Sequence, residues 1–127
     1  MPAAKQNDRI VAIDTHLVQP PGPAPPVPTP CPFDGPITGN LSSNVLVQGL
    51  PAATVGSTAN NQPSHVPIGG AFVNPPTNLG TVNSGSTTVL INGLAAARAG
   101  DTAKTCNDPV PLPVGVVMAV STVLIGG

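Results

Sequence analysis

The chain has 127 residues, enough for one domain of ordinary size, with 18 Pro, 14 Gly and no Glu, Trp or Tyr. Only 7% of residues are charged and 40% are hydrophobic, a balance that excludes a solvated disordered tail. Four basic residues in a chain of net charge −1 provide no footprint for nucleic acid.

Met1 to Arg9 is polar, with Lys5, Asp8 and Arg9 and no apolar run behind it. That start predicts a chain made in a reducing cytoplasm without a signal peptide, its two cysteines kept as thiols or bound to metal. Delivery by some machine other than the ordinary secretory route stays open. The next burst, Ile10–Ile13, reads as a strand. Residues 20–32 then hold eight prolines in thirteen positions and read as a stiff, extended polyproline spacer. Further strand bursts lie at Val45–Val47, Val89–Ile91 and Val114–Ile125. The last is about twelve residues, interrupted by Gly115, Ser121 and Thr122, and too short for a membrane-spanning helix. Gly, Pro, Asn and Asp punctuate all of them, as in a small all-β domain.

Self-comparison reveals a repeat. Val45 to Thr58 recurs as Val89 to Thr102, 44 positions later, with eight of fourteen residues identical. A third copy is split between the ends. Thr122-Val123-Leu124-Ile125-Gly126-Gly127 matches Thr88 to Gly93, and Pro2-Ala3-Ala4-Lys5-Gln6-Asn7-Asp8 matches Pro51 to Ser57. If the copies are equivalent, Gly127 and Pro2 lie side by side and three units close into a pseudo-threefold domain.

Register within the repeat then groups the metal-binding side chains. His16 follows Asp8 by eight residues, His65 follows Ser57 by eight, and Cys106 follows Asp101 by five. Each unit thus sends one ligand toward a common pole, and the proline-rich segment could return Cys31 to it. His16, Cys31, His65 and Cys106 make a closed Cys2His2 shell suited to one structural zinc. Competing uses are a Cys31–Cys106 disulfide, or ordinary surface histidines and buried thiols. Asp14 and Asp108, two residues from proposed ligands, could orient them from outside the shell or lie solvated in loops.

The segments Pro2-Ala3-Ala4-Lys5, Pro51-Ala52-Ala53-Thr54 and Ala95-Ala96-Ala97-Arg98, the last followed by Ala99-Gly100-Asp101, resemble the PAAR-repeat proteins. The resemblance covers essentially the whole chain. It implies a small conical β domain that sharpens the spike of a contractile injection machine, such as a type VI secretion system or a phage-like extracellular injection particle. It also implies a zinc near the apex, held in the family by three His and one Cys. His16, His65 and Cys106 match three of those places and Cys31 stands where the third His would be. The partner implied is a trimeric VgrG-like spike protein, one tip per trimer, with effectors carried alongside and transient contact with a target membrane. The chain reads as a stand-alone tip delivered outside the cell, with no effector fused to it.

Two other classes fit less well. A zinc hydrolase needs an open metal position and a base, whereas four protein ligands close the shell and Ser64 beside His65 is mere adjacency. No small-molecule substrate is implied. A β-repeat binding module or adhesin, with the proline segment as docking surface, is the alternative.

Overall fold

The computed structural model describes residues 1–127, and the fold is entirely β. The strands are β1 (Arg9–Gln19), β2 (Val27–Gly39), β3 (Leu46–Val47), β4 (Leu50–Pro51), β5 (Thr58–Asn60), β6 (Ala71–Phe72), β7 (Leu79–Val82), β8 (Leu90–Ile91), β9 (Leu94–Ala95), β10 (Thr102–Thr105) and β11 (Leu112–Met118). Three antiparallel pairs, β1–β2, β5–β7 and β10–β11, join edge to edge through β2–β5, β7–β10 and β11–β1. The result is a closed six-stranded barrel with β6 added along the upper part of β1. Closure removes the edges that an open sheet of this size would expose.

The predicted threefold is present in the hydrogen bonds. Ala4 N–H donates to Ala97 O (2.9 Å), Ala53 N–H to Ala4 O (3.0 Å) and Ala97 N–H to Ala53 O (3.1 Å), a closed ring around one axis. A second ring joins Gln6 N–H to Pro51 O, Val55 N–H to Ala95 O and Ala99 N–H to Pro2 O, each at 2.9 Å. Only small side chains allow three backbones to converge so closely, and Ala4, Ala53 and Ala97 are all buried there. Each unit then makes a tight turn at Asn7 (φ 71), Gly56 (φ 95) or Gly100 (φ 90). That left-handed backbone is why Gly or Asn recurs at this step.

Below this ring lies a base of short hairpins. β3–β4 and β8–β9 turn at Gln48-Gly49 and Asn92-Gly93, all four residues with positive φ, as a two-residue type I′ turn requires. The chain ends supply the third. Pro2 pairs with Leu124, Ile125 N–H donates to Met1 O at 2.8 Å, and the Met1 ammonium donates to Ile125 O at 3.2 Å. The split third unit inferred from the sequence is thus assembled from both termini.

The core follows the same symmetry. Ile37, Val82 and Val117 are buried in one cluster, directly across their ladders from Ala59, Ala103 and Ile10 respectively, which are buried with them. The next inward position on the returning strands is Gly35, Gly80 or Gly115. A Cβ on Gly80 would sit 3.0 Å from Phe33 Cζ. Phe33 therefore fills the axis at this level, in space that a glycine vacates.

Two expectations change. The proline-rich segment is no free polyproline spacer, because Val27–Gly39 is a strand paired residue by residue with β1 from Val18↔Val27 to Arg9↔Pro36. Its prolines at 28, 30, 32 and 36 alternate, so none occupies a position whose N–H must bond to β1. Pro is tolerated on such an edge. The Val114–Ile125 run is likewise not one strand: β11 ends at Met118, and Leu124 belongs to the base.

Candidate metal centre

Above Phe33, strand alternation places two polar side chains on the inner face of β1. Asp14 and His16 are two residues apart and both completely buried. The loop after β5 brings His65 against them, and the residue following β10 brings Cys106. Ligating atoms of Asp14, His16, His65 and Cys106 all lie within 4.8 Å of one another. Three of the four sequence-predicted residues are thus brought together, one from each repeat unit.

Cys31 is not in this group. It lies directly across the β1–β2 ladder from Asp14, with its thiol donating to Thr29 O at 3.6 Å. Beside His65, it lines an open cavity of about 410 Å³. Both cysteines are free, so the disulfide reading is not realised. The fourth place in the cluster is held by Asp14, which is buried in a strand and is no solvated loop carboxylate. Its Oδ1 accepts from Thr105 Oγ1 and from Asn107 Nδ2 (3.4 Å). Its Oδ2 stands 2.9 Å from His65 Nε2 and accepts from Cys106 Sγ at 3.4 Å. Asn107 missed notice in the sequence, although it lies next to Cys106, and its Oδ1 also takes the Thr15 N–H at 2.7 Å.

Loop residues fix the two histidines. His65 N–H donates to Asn78 Oδ1 at 2.8 Å, and Asn61 Nδ2 stands 3.2 Å from His65 Nδ1. The His16 ring packs against His65 (centroids 5.0 Å apart) and edge-on to Phe72 (5.7 Å). Asp108 accepts the Leu17 N–H at 2.8 Å and places Oδ2 3.6 Å from His16 Nδ1, beyond hydrogen-bond reach.

One observation tests whether a metal suits this group. Both ring nitrogens of His16 are buried without any hydrogen-bond partner, and leaving such groups unpaired costs about 1–3 kcal/mol each. A cation bound at His16 removes that penalty for one nitrogen. Burial, then the charge of Asp14 and the hydrogen bond to it, push the Cys106 thiol up to about 11. Burial, reinforced by Asp14 and Asp108, also raises Cys31. Two nitrogens, one sulfur and one carboxylate oxygen form a donor set that a borderline cation accepts. When bound, such an ion supplies a cross-link among the three units.

Residues 74–127 match the family model for the PAAR motif, and no curated protein matches the chain. The matched stretch contains the Ala95-Ala96-Ala97-Arg98 turn and Cys106, and its turn geometry recurs at residues 2–8 and 51–57 through the two hydrogen-bonded rings. Residues 74–127 thus carry a PAAR motif.

Proposed function

We propose that the chain is the non-catalytic tip that caps and sharpens the trimeric spike of a contractile injection machine, and so helps pierce a target envelope. The PAAR motif supports a spike-tip type of protein. The observation that carries the reading is at the base. Leu46, Leu90 and Leu124 are equivalent positions of the three hairpins, and they are 59%, 63% and 72% exposed. Their neighbours Val47, Ile91 and Ile125 turn inward and hold the base together. The leucines face solvent because alternate strand positions point to opposite sides. A single chain offering three equivalent apolar contacts suits a partner with true threefold symmetry.

The metal is zinc in this reading, held by His16, His65 and Cys106 with Asp14, and its role is structural. A structural zinc typically contributes about 10–16 kcal/mol of apparent folding energy in small domains at neutral pH. The chain is made in the bacterial cytoplasm, joins the assembled particle and leaves the cell when the sheath contracts.

The test is to replace the exposed leucines with Asp, singly and together, and to measure association with the spike trimer of the native particle. Successive loss of binding with unchanged metal content supports the reading. Full binding by the triple variant would remove the base from the interface. Many copies of the chain per particle would favour a surface adhesin.

A further inference from the structure

We infer that Cys31 is the entry ligand of the metal centre: it captures a thiophilic divalent cation in the cleft beside it and passes that ion inward to the enclosed group. This role rests on the reading of that group as a metal centre.

The group is sealed from solvent. Asp14, His16 and Cys106 are 0%, 1% and 4% exposed, and the His65 side chain is 2% exposed. Its fitness for an ion is marked independently by the two unpartnered ring nitrogens of His16. A hydrated cation has to shed its water on the way in. That is costly unless protein donors replace the water stepwise.

A cleft reaches the group. One wall is β2, which contributes Pro30, Cys31 and Pro32, and the other is the loop over residues 61–68 that carries His65. Its volume of about 410 Å³ exceeds the roughly 180 Å³ that six waters fill at about 30 Å³ each. An ion therefore fits with its hydration shell intact. Of the lining residues, His65 belongs to the metal group and Cys31 does not.

Cys31 is the soft donor of that cleft. Asp34, the charged lining residue, is engaged by Arg9 Nε at 2.5 Å. The Cys31 thiol makes a long contact of 3.6 Å to Thr29 O, which a cation readily displaces. Across the β1–β2 ladder it faces Asp14, and directly opposed side chains share a face with Cβ atoms about 4.5–5.5 Å apart. After burial, the charges of Asp14 and Asp108 raise the thiol, and the same field draws a cation toward it. Beyond Asp14 the remaining donors are close: its Oδ2 lies 2.9 Å from His65 Nε2 and 3.4 Å from Cys106 Sγ. Capture releases the Cys31 thiol proton to water. On transfer the Cys106 thiol gives up its proton and Cys31 regains one, so uptake releases one thiol proton per ion.

The threefold plan does not call for a thiol here. Four residues before Gly35, Gly80 and Gly115 stand Cys31, Pro76 and Pro111. The cysteine occurs in the one copy that borders the cleft.

The experiment mixes metal-free full-length protein with cobalt(II) in a stopped-flow spectrometer. The thiolate-to-cobalt charge-transfer band reports sulfur ligation, and the d–d bands report the finished tetrahedral site. In the parent the charge-transfer band should rise ahead of the d–d bands. Cys31→Ala should lose that early phase and fill roughly tenfold slower or more, as when one charged contact is removed from a barrier. Its final spectrum should match the parent's, and release to excess chelator should slow by the same factor, because an entry ligand leaves the equilibrium unchanged. Cys31→His, which restores a donor, should recover most of the rate, and Pro32→Ala, which alters the same wall, should fill like the parent. Equal rates for the parent and Cys31→Ala would overturn the inference, as would equal slowing by Pro32→Ala. Weaker equilibrium binding by Cys31→Ala would overturn it too, by making Cys31 a resident ligand. Failure of the parent chain itself to bind cobalt would overturn the metal centre and its entry ligand together.

Discussion

The glycine at position 80 offers a direct test of how the barrel interior is filled. A Cβ there would lie 3.0 Å from Phe33 Cζ, 3.2 Å from Phe33 Cε1 and 3.4 Å from Ile10 Cδ1. All three atoms belong to fully buried side chains of the central cluster, so the ring has little room to retreat. Overpacking of this kind costs about 1–3 kcal/mol. Gly80→Ala should therefore lower unfolding free energy by that amount in denaturant titrations. The contact is with a side chain, so a smaller neighbour should relieve it. In a Phe33→Leu background the added methyl should cost less than half as much, a coupling of roughly 1 kcal/mol or more in a double-mutant cycle. Gly35→Ala provides the contrast. Its Cβ would fall 2.3 Å from the backbone oxygen of Asn60, and the Phe33 substitution should not rescue it. If Gly80→Ala is neutral, or costs the same in both backgrounds, Phe33 does not occupy the space that the glycine vacates.

Three further outcomes follow from the metal group. His16→Leu removes two unpartnered buried nitrogens, so metal-free protein should be as stable as the parent or more so, while the thermal upshift on adding zinc disappears. Cys31→Ser should leave one metal per chain, because its thiol lies outside the cluster, whereas Cys106→Ala should abolish retention, and elemental analysis after gel filtration separates the two. Metal-free protein should lose stability at alkaline pH. The folded Cys106 thiol keeps its proton to about 11, while an unfolded thiol releases it near roughly 8.5. Stability is therefore complete below about 8.5 and declines as pH rises through about 11. Cys106→Ala should flatten that decline in part only, since Cys31 is shifted in the same direction.

The threefold plan was legible because closure of the chain around an axis restricts residue choice at fixed positions. Three backbones meeting at Ala4, Ala53 and Ala97, and three left-handed turns, permit few residue types, so the repeat survives in the letters. Strands β5 and β10 left no such mark. Thr58-Ala59-Asn60 and Thr102-Ala103-Lys104-Thr105 carry a single small apolar residue each, and their inward side chains are small because the barrel is narrow. β2 was misread for a different reason. Proline normally argues against a strand, yet at alternating positions on an outer edge it removes no ladder bond. The error propagated to the metal group. With β1 taken only to Ile13, Asp14 reads as a carboxylate that orients a ligand from outside the shell or lies solvated in a loop. Continued to Gln19, strand alternation places Asp14 beside His16 on the inner face and Cys31 across the ladder from Asp14. Asn61, Asn78 and Asn107, which position the cluster, come from loops whose approach depends on tertiary closure alone.

The most direct test of the central claim is native mass spectrometry of the tip bound to its spike. The account predicts one chain per three spike subunits, with one transition-metal ion that is lost together with Cys106 in the Cys106→Ala variant. Three tips per trimer, or a bound tip that carries no metal, would contradict it.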